Sequence, residues 1–160
     1  MRPTIDDHTL PFSEEATVDD LDAWVTARMN EYGPSVLRIA LGIVFVWFGG
    51  LKLLGVSPAG DLVARTVYFV SPEVFVPILG GWELLIGIGL LYRPLVRVGI
   101  FLLALQMPGT FLPLILLPDV VYTVSPYGLT IEGQYIVKNL VIIGAALVIG
   151  GTVRAQQREK

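Results

Sequence analysis

This 160-residue chain contains no cysteine. A disulfide, thiol redox chemistry and a cysteine-held iron–sulfur cluster are therefore excluded on this polypeptide. It has one histidine, His8, in a polar stretch, so neither a bis-histidine haem site nor a histidine-rich metal centre can be built in its apolar part. Charge is scarce too, at 16% of residues. There is no phosphate-binding loop, no nucleophile elbow, no metal-ligand spacing and no basic face for nucleic acid. Any redox centre would have to be borrowed from elsewhere, and an enzymatic reaction carried by this chain alone is not expected.

Apolar residues are abundant, at 54% of the chain, and they fall in long blocks separated by proline and charge. That pattern predicts an all-α integral membrane protein, with room for about four spans of roughly twenty residues and no second globular domain. Met1 opens an acidic, apolar-poor segment instead of a basic stretch followed by an apolar core. The expectation is that no cleavable signal peptide is present and that the chain inserts through its own spans.

Residues 1–34 form an acidic tail with eight acids against two arginines. Within it Thr17 suits a helix cap, and Leu21, Trp24, Val25, Met29 and Tyr32 recur at helical spacing, predicting a short amphipathic helix over about 18–32 that Gly33-Pro34 ends. It could lie on the membrane surface or pack under the bundle. A four-helix transmembrane domain follows over 35–153, with spans at about 35–55, 72–92, 95–117 and 133–152 and a basic tail at 154–160. Ser35 suits the cap of the first span and Ser71-Pro72-Glu73 the start of the second. Ser57-Pro58 reads as a further helix start between them. Pro108 and Pro113 should kink the third span and free backbone carbonyls for Thr110, water or a ligand to satisfy. Between the third and fourth spans, Val120, Tyr122 and Val124 alternate before Ser125-Pro126-Tyr127-Gly128, which predicts a small extramembrane hairpin.

One acid sits deep in an apolar run, Glu83 in GGWELLIGIGLLYRP. It lies roughly 16 Å along a helix starting near Pro72, close to the midplane of a bilayer about 30 Å thick. A carboxylate there costs about 2.5–3.5 kcal/mol on insertion scales, so Glu83 should face the protein interior. Gln106 has the same depth in the third span. In the first span Arg38, Gly42, Phe45, Gly49 and Lys52 share one stripe. Lys52 could snorkel to the interface or turn inward to Glu83. Gln134, Lys138, Ala145 and Thr152 share a stripe in the last span, with Asn139 alongside, and Lys138 is within reach of Glu83. Glu83, Lys138, Lys52, Gln106, Asn139 and Gln134 are thus the candidates for binding a small polar or quinone-like molecule or relaying a proton. The alternative is a Glu83–Lys138 ion pair that only fixes helix register.

Lys and Arg gather toward the side that holds both termini, which the positive-inside rule assigns to the cytoplasm. The small residues of the helices leave a homo-oligomer open.

The runs LRIALGIVFVWFGGLKLL, SPEVFVPILGGWELLIGIGLLYRP and GQYIVKNLVIIGAAL resemble the DoxX-like four-helix membrane proteins, including the YkgB-type branch, over about Leu37 to Gly150. The resemblance rests on Gly49, Leu51 and Lys52, on Ser71-Pro72, on Glu83 in its glycine-rich helix, and on Gln134, Lys138 and Asn139. It implies a multi-pass protein of the inner or plasma membrane, tied to sulfur, quinone or oxidative-stress metabolism, and working as a partner of a redox subunit. Quinone is the ligand so implied. A chain without cysteine and with His8 alone could shape a quinone pocket but could not carry electrons.

Overall fold

The computed structural model describes residues 18–158. The acidic stretch 1–17 with Thr17 and His8, and the side chains of the basic tail 154–160, lie outside the described residues. The secondary structure is α1 (Val18–Leu53), α2 (Gly60–Thr66), α3 (Pro72–Leu91), a 3-10 turn (Arg93–Leu95), α4 (Val96–Phe111), α5 (Pro113–Leu116), α6 (Pro118–Val121), β1 (Tyr122–Val124), β2 (Gly128–Leu129), α7 (Ile131–Val137) and α8 (Asn139–Arg158). Among these residues, four stretches are helical, long and apolar enough to cross a membrane: Val18–Leu53, Pro72–Leu91, Arg93–Leu116 and Ile131–Thr152. The all-α architecture is as the sequence predicts.

The break expected at Gly33-Pro34 is absent, because α1 is one helix of 36 residues with Pro34 inside it. Proline removes one N–H and crowds the carbonyl four residues back, which weakens a helix locally without stopping it where both flanks hold helical geometry. Ser35 accordingly lies within α1 rather than at a cap. The chain nevertheless divides into two compact units between Gly33 and Pro34. In the first, every residue from Val18 to Gly33 is exposed. Arg28 there bonds Glu31 at 3.0 Å and stands over the rings of Trp24 and Tyr32 at 5.7 and 5.9 Å. An exposed pair of this kind adds little stability.

In the second unit, the outward helix faces are as apolar as the inward ones. Ile43 and Trp47 of α1, Leu85 of α3, Phe101 of α4 and Leu147 of α8 are all exposed. A water-facing helix would carry polar residues there. Helices whose outer faces match lipid gain little from hydrophobic exclusion and associate through close packing instead. The sequence provides that packing with glycine.

A Cβ added at Gly49 of α1 would lie 2.7 Å from the Gly80 carbonyl oxygen of α3, and one added at Gly80 would lie 2.8 Å from the Gly49 carbonyl oxygen. Two turns along, a Cβ at Gly87 would come within 2.7 Å of the Val46 backbone nitrogen. Gly42 completes the contact by facing Gly87 and Leu91. Only hydrogen fits between these backbones. On another side of α3, Gly89 meets Gly99 of α4 in the same manner, with a Cβ at Gly89 2.9 Å from the Gly99 Cα. The core that α1, α3, α4 and α8 share includes Phe45, Ile86, Leu90, Leu103 and Ile149.

The helix ends follow local chemistry. Gly55 takes φ +71°, and the Val56 and Gly55 N–H groups bond the Leu51 and Lys52 carbonyls at 3.0 and 3.3 Å. This Schellman ending stops α1 and leaves Lys52 in its last turn. The helix expected from Ser57-Pro58 is α2, which starts at Gly60. The start of α3 is at Ser71-Pro72 as expected, but the Ser71 hydroxyl makes no cap; its carbonyl instead accepts from Val74 and Phe75. The 3-10 turn at Arg93–Leu95 joins α3 to α4. The third span is interrupted near its prolines: α4 ends at Phe111, and α5 and α6 carry the chain on. Thr110 donates to the Gln106 carbonyl at 3.3 Å. The predicted hairpin forms as β1 paired antiparallel with β2.

The last span is also interrupted, at Lys138. The Asn139 side-chain amide donates to the Tyr135 and Ile136 carbonyls at 3.2 and 3.0 Å, covering acceptors that the break exposes. Upstream, Thr130 caps α7 by accepting from the Gly133 N–H at 3.2 Å, and its hydroxyl donates to the Val120 carbonyl at 2.8 Å.

Candidate functional site

Glu83 lies in α3 one turn beyond Gly80, on the same side as the glycine contact with α1. Because α1 ends at Leu53, four residues after Gly49, its last turn carries Lys52 directly to this carboxylate. The Lys52 Nζ is 2.7 Å from Glu83 Oε2, and the two side chains retain only 6% and 10% of their accessible surface. Lys52 therefore turns inward instead of snorkelling. From the other side, α4 presents Gln106, whose Nε2 donates to Glu83 Oε1 at 3.1 Å. Buried Lys52 and Glu83 and half-buried Gln106 thus form one polar cluster joining three helices.

The second half of the predicted group is elsewhere. Lys138 is exposed, and its ammonium stands over the Tyr135 ring at 5.0 Å. It makes no contact with Glu83, although it keeps helical backbone angles between α7 and α8. Gln134 is exposed and contributes its backbone carbonyl to the Lys138 N–H. Asn139 covers the break, as described above. A Glu83–Lys138 pair is not formed; the partner of Glu83 is Lys52.

The opposite end of the α1 stripe is equally definite. Arg38 Nη1 donates to the carbonyls of Leu90 and of Leu91, the latter at 2.9 Å. A cation at the carbonyl end of α3 satisfies acceptors with no helical donor and opposes the negative end of the helix dipole. The cluster is further braced by Trp82, whose indole N–H donates to the Leu102 carbonyl of α4 at 3.2 Å. Sequence reasoning placed Arg38 on the correct stripe but missed its partner. The available signal was its position, one turn short of where an antiparallel α3 would end.

Two buried side-chain atoms among the described residues have no hydrogen-bond partner, Ser57 Oγ and Gln106 Oε1. The second belongs to the cluster. Its orientation follows from charge: a carboxylate already paired with an ammonium offers only lone pairs, so the Gln106 amide must turn its NH₂ toward Glu83 and its oxygen away. Among the described residues no group of three or more His, Cys, Asp or Glu is placed to hold a metal ion. No protein-family model, curated protein or solved structure matches this chain.

Proposed function

We propose that this chain is a DoxX-like integral protein of the plasma membrane, with both termini in the cytoplasm, serving as an accessory, ligand-binding subunit of a redox or oxidative-stress system. The ligand in this reading is a quinone-type headgroup taken up at Lys52, Glu83 and Gln106. The observation that carries it is a buried acid–base pair with an adjoining amide whose oxygen is unpartnered, set in a bundle that is apolar inside and out. Ionisable groups inside a membrane bundle are costly and mark ligand or ion sites. The Lys52 ammonium is the donor that a quinone carbonyl would use, while the Gln106 amide holds Glu83. Electron transfer would belong to a partner subunit, in keeping with a chain that has no cysteine. The position of Lys138, Asn139 and Gln134 away from the cluster supports a binding site over a proton or small-solute pathway.

The test is titration of the detergent-purified protein with a short-chain quinone, followed by tryptophan fluorescence, alongside Glu83→Gln. Trp82 adjoins the acid. Saturable quenching at low micromolar quinone that weakens in the variant is the expected result. Linear and identical quenching in both would refute the pocket.

A second reading has its own support. Lys52 and Glu83 flank the Gly49–Gly80 contact, so the pair could serve only to fix the register of α1 on α3. Under that reading Glu83→Gln changes stability and leaves quinone response unaltered.

A further inference from the structure

A second charged group lies toward the other end of the α1 stripe, where Arg38 meets the return between α3 and α4. We propose that Arg38 and Arg93 together bind the phosphate of an anionic phospholipid whose acyl chains lie along the apolar surface beside them. The proposal takes from the reading above only that the chain crosses a bilayer, and it does not depend on what Glu83 binds.

The charges come first. Arg38 is half-buried, and its hydrogen bonds go from Nη1 to the neutral carbonyls of Leu90 and Leu91. A guanidinium has further N–H groups on Nε and Nη2, which remain for another acceptor. Arg93 follows Leu91 by two residues, opens the 3-10 turn, is exposed, and lies near enough for its charge to act on that of Arg38. Ion pairs between described residues are Arg28–Glu31 and Lys52–Glu83, so no described acid offsets either cation at the return. Two guanidinium groups held together without a counter-charge repel each other, and one anion shared between them removes that repulsion. Phosphate suits the pair, because its oxygens accept charge-assisted bonds from the planar guanidinium fork.

The surroundings decide which kind of phosphate. Ile39 of α1, Leu91 and Tyr92 at the end of α3, and Leu95 in the 3-10 turn are all exposed. A soluble anion gains nothing from such a surface, whereas a molecule with an anionic head and apolar chains gains from both of its parts. The stretches on either side of the turn, Pro72–Leu91 and Arg93–Leu116, are each long and apolar enough to cross a membrane. In a bilayer the turn between them falls at the depth of the headgroup phosphates, with Tyr92 as an interfacial aromatic.

The experiment is lipid titration of the full-length protein in mild detergent, with bound lipids counted by native mass spectrometry. Phosphatidylglycerol is compared with phosphatidylcholine, and glycerol phosphate serves as a soluble competitor. The first phosphatidylglycerol should bind at least about fivefold more tightly than the first phosphatidylcholine, and Arg93→Gln should lower that preference about fivefold, the effect of one cation near an anionic headgroup. Arg93→Glu should abolish it. Arg65→Gln, which removes an exposed cation from α2, should leave it unchanged. Equal binding of the two lipids overturns the proposal and leaves the arginines to orient the chain or to meet an acidic protein segment. An equal loss in Arg65→Gln and Arg93→Gln overturns it in favour of diffuse surface charge, and full displacement of the lipid by glycerol phosphate overturns it in favour of a free anion. Arg93→Gln should not alter the quinone titration, so failure here and failure of the Glu83 pocket are read separately.

Discussion

The contact between α1 and α3 makes its strongest prediction at adjacent glycines. A Cβ at Gly49 would lie 2.7 Å from the Gly80 carbonyl oxygen and 2.8 Å from the Leu84 nitrogen, both backbone atoms, whereas a Cβ at Gly50 would meet nothing within 4 Å. Gly49→Ala must therefore separate the helices by about 0.7 Å to restore an ordinary contact. The Lys52–Glu83 distance of 2.7 Å would stretch toward about 3.4 Å, outside the charge-assisted range. Overpacking of this kind costs about 1–3 kcal/mol. Gly50→Ala should instead be neutral or stabilise by up to about 1 kcal/mol, since alanine is the better helix former. Gly80→Ala and Gly81→Ala repeat the contrast on α3, because Gly80 faces α1 and Gly81 faces open space. The assay is reversible unfolding in mixed micelles of mild detergent and SDS, followed by helical circular dichroism. If Gly49→Ala and Gly50→Ala unfold alike, the backbone contact does not exist as described.

Two further outcomes are expected from the same assay. Lys52→Met and Glu83→Leu should each cost about 3–5 kcal/mol by leaving one buried charge unpaired, while the double replacement recovers most of that loss; additive losses would show that the two are not a pair. Arg38→Ala should cost about 1.5–3 kcal/mol through the freed Leu90 and Leu91 carbonyls, with faster amide exchange confined to the end of α3, and uniform exchange throughout α3 would contradict that cause.

Much of this arrangement is legible in the sequence because apolar length and small-residue spacing are local properties. The stripe through Gly42, Phe45, Gly49 and Lys52 is the buried face of α1, and Gln106 does reach Glu83. The choice of Lys52 over Lys138 was not legible. Both lysines lie within a side chain's reach of Glu83 on straight helices, and the pattern of residue types does not say which one arrives; the structure pairs Lys52. The interruption at Lys138 has no glycine or proline to announce it; Asn139 supports it by bonding two carbonyls behind itself. At Gly33-Pro34 the error ran in the opposite direction, since a strong local breaker was overridden by helical sequence on both flanks. The role of Arg38 was hidden because its partners are carbonyls, which exist in every residue and leave no mark in composition.

Gly87 and Gly89 are two residues apart, which places them about 200° apart around α3. One abuts α1 and the other α4, each at a distance that admits no Cβ. A helix seated in this way on both sides is a poor moving part. Sliding it along its axis would drive the flanking side chains into slots sized for hydrogen, and rolling it would open both seams at once. Under the binding role proposed above, whatever reaches Glu83 meets a helix that is held on two sides and stays still.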